Sequence, residues 1–219
     1  MSLNAPNSTG PNSAVPSDAL SNGALSRDAG PSDAVLSGGF TDAPIEAARA
    51  FRAALSAMAR PGRIETVTGV APPMPLSPAA GLLLLTLCDG DTPLYLAQGY
   101  DTAEIRAWLA FQTGAPIGPA DQAAFLLGRW EALPHSEARL GTAEYPDRSA
   151  TLIVESPALA ADTHRLTGPG IATEAWLRLP ETAAFAENHR RFPLGFDCFF
   201  TAGNRLAALP RTTCVAEAG

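Results

Sequence analysis

The chain has 219 residues, of which 46% are apolar, and a formal charge of −7 at pH 7. That length and composition suit one globular domain with a sizeable core, and the acidity argues against nucleic acid or an anionic membrane as partner. All 15 basic residues are arginine, so no side chain can form a pyridoxal phosphate Schiff base and no Walker A loop can be built.

Residues 1 to 38 are built mainly from Ser, Asn, Pro, Gly, Ala and Asp, with few apolar side chains and no period. Such a segment buries too little surface to offset its ordering entropy and is expected to be a disordered extension. It has neither the basic start nor the apolar run of a secretory signal. Residues 39 to 219 are expected to form a single domain.

Folding begins near Asp42. In "DAPIEAARAFRAALSAMARPG" Pro44 suits a first helical turn, and Ile45, Ala48, Phe51, Leu55 and Met58 recur at spacings of three and four. They are expected to form the apolar stripe that faces the core. Pro61 and Gly62 stop this helix, and "RIETV" follows as a short strand. A second helix opens at Ser77 and Pro78, with Leu82 to Leu85 apolar on every face. It is too short to cross a bilayer. "PLYLA" reads as a strand, "DTAEIRAWLAF" as a helix with Asp101 and Glu104 at capping-box spacing, and "AAFLL" as a strand. "ATLIVES", "DTHRLTG" and "IATEAWLRL" follow as strands. Pro180 is expected to open a last helix, "ETAAFAENHRR", and Gly203-Asn204 to turn a hairpin between "LGFDCFFTA" and "RLAALP". Helices and strands alternate early and strands cluster late. The fold class is therefore α/β: a layered, mixed β-sheet with flanking helices.

Cys88, Cys198 and Cys214 are far apart and lack CxxC spacing, as reduced, buried thiols of a cytoplasmic protein would be. His135, His164 and His189 are equally scattered, so no metal site is expected. Three stretches could carry chemistry. In "GPG", Gly168, Pro169 and Gly170 lack phosphate-loop spacing, and Pro169 removes a backbone donor. A hairpin corner fits better. Asp89 and Asp91 in "CDGDTP" are either a hard-metal or acid/base pair, or a turn at a helix end; the turn is favoured. Arg211, Thr212 and Thr213 are a fair anion-binding set, against a plainer reading in which Arg211 pairs with an acid. No catalytic residue stands out.

Six motifs occur in order: "FRAALSAMARPGRI", "LLLLTLCDGDTPLYL", "LAFQTGAPI", "GTAEYPDRSATLIV", "RLTGPGI" and "FPLGFDCFFTAGNRLAALPRTTCV". Together they resemble the H subunit of the bacterial carbon–phosphorus lyase core complex, from about residue 44 to 215. The resemblance implies a fold similar to that of pyridoxal phosphate transferases but without their active site, so no cofactor on this chain. It implies assembly with the G, I and J subunits, and a homodimer when alone. It also implies a role in alkylphosphonate catabolism: with its partners, the subunit would be needed to form α-D-ribose 1-methylphosphonate 5-triphosphate from ATP and methylphosphonate. No catalytic residue carries over, and the "GPG" corner has no assigned role. The alternative is an independent small α/β transferase acting on a phosphorylated nucleoside through Arg211 and the acidic pair.

Overall fold

A computed structural model describes residues 36 to 217, which lie in a unit running from Pro31 to Gly219. The expectation of disorder over residues 1 to 38 falls almost wholly outside the described residues. Helix α1 spans Ala43–Ala59 with Pro44 in its first turn. Its N-terminus is held by Glu46, whose Oε2 accepts hydrogen bonds from the backbone of Thr41 at 2.7 Å and Asp42 at 3.2 Å. β1 (Glu65–Thr66) follows, then α2 (Pro78–Leu87), where the Ser77 hydroxyl accepts from Ala80 N at 3.1 Å. β2 (Leu94–Leu96), α3 (Ala103–Gln112) and β3 (Phe125–Gly128) come next. β4 (Thr151–Glu155), β5 (His164–Thr167) and β6 (Ala175–Leu177) precede α4 (Ala183–Arg190). β7 (Asp197–Ala202), β8 (Arg205–Leu209) and β9 (Cys214–Glu217) close the chain.

The large sheet runs β1-β8-β7-β4-β3-β2. Its β2, β3, β4 and β7 are mutually parallel, while β8 pairs antiparallel with β7 and β1 antiparallel with β8. Its strands read as continuous apolar runs because both faces are buried. Alternate residues go to different cores. Leu127, Ile153, Phe199 and Ala208 join α1, α2 and α3 in one cluster, whereas Leu126, Leu152, Phe200 and Leu209 meet Leu166, Leu177 and Phe185 from β5, β6 and α4 in the other. Layering and mixed pairing agree with the sequence reading. The late strands differ from it: β5, β6 and β9 leave the main sheet for a separate antiparallel one, ordered β6-β5-β9. The hydrophobic period gives a strand its faces but not its sheet.

Two local expectations are corrected. At α3 the cap is Thr102, whose Oγ1 accepts from Ile105 N at 3.2 Å, while the Asp101 carboxylate is taken up by Arg106. The larger correction concerns α1. Its buried residues are Ala50, Ala54 and Ala57, while the expected core residues Ile45, Phe51 and Leu55 stand out in solvent. α1 packs on β8 and α2, and alanine lets the backbones approach closely. A helix that is apolar on two faces shows the same spacing on both, so periodicity alone picks the face with the larger side chains. Among the described residues no helix is long and apolar enough to cross a membrane.

Candidate functional site

Open α/β sheets offer a crevice beyond the carboxyl ends of their parallel strands. Here β3 ends at Gly128 and β4 at Glu155. Beyond them lies a cleft of about 220 Å³, walled by Arg129 and Trp130 after β3, Ser156 and Pro157 after β4, and Arg178 and Pro180 after β6. Glu155 lines its floor and is buried. One carboxylate oxygen accepts from Ser77 N, at the N-terminus of α2, at 2.7 Å; the other accepts from the Thr201 hydroxyl at 3.0 Å. Burial raises its pKa, against the pull of the Ser77 and Thr201 hydrogen bonds and the nearby charge of Arg129. Tyr100, just beyond β2, is also raised, first by burial and then by the Glu155 charge, with Arg129 opposing.

The walls are fixed from behind. Trp130 Nε1 donates to Glu181 at 2.8 Å, and its ring stacks on His135 at 4.5 Å between centroids and leans on Phe185 at 4.8 Å. Arg178 is paired with Asp162. Arg129 is therefore the cation at the mouth, above a buried carboxyl. The arrangement can receive an anionic group at Arg129 and exchange a proton or hydrogen bond at Glu155. The composition of the chain did not reveal it. The available signal was a lone acid closing the apolar run "TLIVE", followed by the crevice rule.

The residues singled out in the sequence fall elsewhere. Arg211 is clamped: its backbone N, Nε and Nη2 donate to Asp197 at 2.8, 3.2 and 2.6 Å, Nη1 donates to Pro146 O at 2.9 Å, and Nη2 also reaches Ser149. Thr212 is half-buried, and Thr213 is buried with its hydroxyl unpartnered among the described residues. Asp89 Oδ1 accepts from Asp91 N at 3.0 Å and from the Thr92 hydroxyl at 3.2 Å, which makes "CDGDTP" a turn between α2 and β2. The "GPG" stretch is the corner between β5 and β6, with Gly168 and Gly170 at φ of 132° and 81° and Pro169 exposed between them. A Cβ on Gly170 would fall 2.1 Å from Ala59 O, at the end of α1. Among the described residues, no side-chain hydrogen bond joins any of these three groups to another.

Cys88 and Cys198 are buried, as expected, and Cys214 is not. At the start of an edge strand, its Sγ lies 3.0 Å from His189 Nε2. His189 Nδ1 lies 3.2 Å from Arg211 O, so Nδ1 donates and Nε2 is left to accept from the thiol. The two residues are 25 apart in sequence, out of reach of any spacing rule. Among the described residues, no three His, Cys, Asp or Glu side chains gather as metal ligands.

Residues 38–216 match the model of a family described as bacterial phosphonate metabolism protein (PhnH). A relative from Rhizobium meliloti (strain 1021), named alpha-D-ribose 1-methylphosphonate 5-triphosphate synthase subunit PhnH, is 39% identical over 82% of this chain and 94% of its own length. HtxG of Stutzerimonas stutzeri, provisionally named a C-P lyase subunit, is 30% identical over 80% of this chain and 93% of its own length. With the family's pattern running through every described layer of the fold, the chain belongs to the PhnH family of bacterial phosphonate metabolism proteins.

Proposed function

We propose that this chain is an accessory subunit of the carbon–phosphorus lyase core complex, required with partner subunits to make α-D-ribose 1-methylphosphonate 5-triphosphate from ATP and methylphosphonate. The observation that carries this reading is the 39% identity, over 82% of the chain, to a relative named as a subunit of that synthase. The partners are the G, I and J subunits, and the chain pairs with itself when they are absent. It acts in the cytoplasm, where ATP is supplied, with residues 39 to 219 working as one domain. Its mixed sheet with flanking helices is of the pyridoxal phosphate transferase kind, without their active site. Having no lysine, the chain works without that cofactor.

The reading as an independent transferase relied on Arg211 and the acidic pair. Arg211 has its guanidinium filled by Asp197, Ser149 and Pro146 O, and Asp89 spends its carboxylate on its own turn. The deciding experiment supplies ATP and methylphosphonate to the purified chain, to the assembled subunits, and to the assembly lacking this chain, and measures free adenine. Release is expected only from the complete assembly. Adenine released by the chain alone would overturn the accessory role.

A further inference from the structure

α1 turns large apolar side chains outward. Ile45, Phe51 and Leu55 are 50%, 52% and 56% exposed on a helix whose inner face is alanine. Beside them runs a groove of about 240 Å³ with Phe51, Leu55 and Met58 on its rim and Leu87, Phe125 and Phe199 also lining it. Helix geometry puts Phe51, Leu55 and Met58 on one continuous strip, at spacings of four and three. Scattered exposed apolar residues need no explanation, but a strip continuous with an apolar groove does.

The charges around the strip indicate what covers it. Arg49 and Arg52 are exposed on α1 and have no hydrogen bond or ion pair among the described residues. The acid of α1, Glu46, is turned to the helix N-terminus. An α1-on-α1 contact with a second copy would thus bring two unpaired arginines from each side to the seam against a single free carboxylate, that of Asp42 at the helix start. Like charges across a contact are costly, and oppositely charged rims select partners.

We propose that the outward face of α1 and its groove form the docking surface for a different subunit, which presents an apolar ridge flanked by acidic residues. Phe51 and Leu55 are the anchors, and Arg49 and Arg52 pair with the acidic rim. This rests on the reading of the chain as a complex subunit and assigns that role to a face of the molecule.

The test co-expresses the full chain, tagged, with the G, I and J subunits and measures their recovery after affinity and size-exclusion steps. The Phe51→Asp/Leu55→Asp double variant is expected to lower recovery about tenfold or more, as loss of interface anchors does. Because both side chains are already exposed, its isolated melting profile should match wild type. Arg49→Glu/Arg52→Glu leaves the apolar strip intact and is expected to lower recovery as well, with the wild-type complex losing partners as salt rises. Full recovery of the partners by both double variants overturns the proposal. So does a result in which the variants lose only self-association. A wild-type chain that recovers no partner removes this proposal and the subunit reading together, whereas a wild-type complex indifferent to the variants removes this proposal alone.

Discussion

α1 and α2 both carry proline in the first turn, both are rich in apolar residues, and both belong to the same core cluster, yet they are buried in opposite ways. In α2, Ala79 to Leu84 are all buried, leaving this stretch no solvent face. α1 keeps its smallest side chains inside and its largest outside. α2 shows that an apolar helix without amphipathic contrast is a core element. α1 shows that an amphipathic-looking helix can point its conspicuous face away from the core, because close packing selects for fit as well as for hydrophobicity.

The contrast can be broken most sharply in α2. Leu83 is fully buried, and Leu83→Ala is expected to cost about 2–5 kcal/mol in a denaturant melt, through lost burial and the cavity left behind. A loss below about 1 kcal/mol would mean that α2 is not the core helix described. On α1 the sensitive direction is reversed. Ala54→Leu adds bulk where the helix lies against its neighbours, and an overpacking loss of about 1–3 kcal/mol is expected. If that variant is as stable as wild type, the alanine face has room that the structure denies it. Truncating the outer face should matter least: Phe51→Ala and Leu55→Ala are expected to shift the stability of the isolated chain by no more than about 0.5 kcal/mol each. A core-sized penalty at either position would restore the face that the spacing suggested.

A chemical probe sharpens the same comparison without a stability measurement. Cys88 follows α2 directly, and burial, aided by the charge of Asp89, pushes its thiol up to about 12. The thiol stays protonated at pH 8, and the thiolate is the nucleophile. Alkylation of the native chain should therefore leave Cys88 unmodified while a cysteine introduced by Leu55→Cys reacts at the rate of an open thiol, as read by mass spectrometry. Equal labelling of the two positions would count against the assigned burial.

Much of the fold was legible because it rests on local chemistry. Ser77 before Pro78, Gly203-Asn204 between two apolar runs, and "TLIVE" bounded by polar residues each declare an element within a few positions. What escaped depends on residues far apart in the chain. Nothing near "DTHRLTG" says that its strand pairs with Cys214–Glu217 in a second sheet, and nothing in "CV" says that the Cys214 thiol meets His189. The cleft was hidden for the same reason. Glu155, Ser77, Thr201 and Arg129 come from four separate segments, and their meeting depends on the strand order. The motifs that did stand out are spent on structure: Asp89 bonds within its own turn, and Arg211 is held by Asp197, Ser149 and Pro146 O from distant segments.

The "GPG" corner acts as an end stop. Gly170 presses its backbone against the last turn of α1 so closely that even one methyl group has nowhere to go, and its φ of 81° already suits glycine. The pitch of α1 is thereby gauged from its far end by a hairpin rooted in the other sheet. A mutation at this corner would act as a shim, tilting the outward strip of Phe51 and Leu55 while leaving those side chains unchanged. Damage at this glycine would therefore reach the partner-facing strip through a loss of stability, whereas damage at the strip itself would spare the fold.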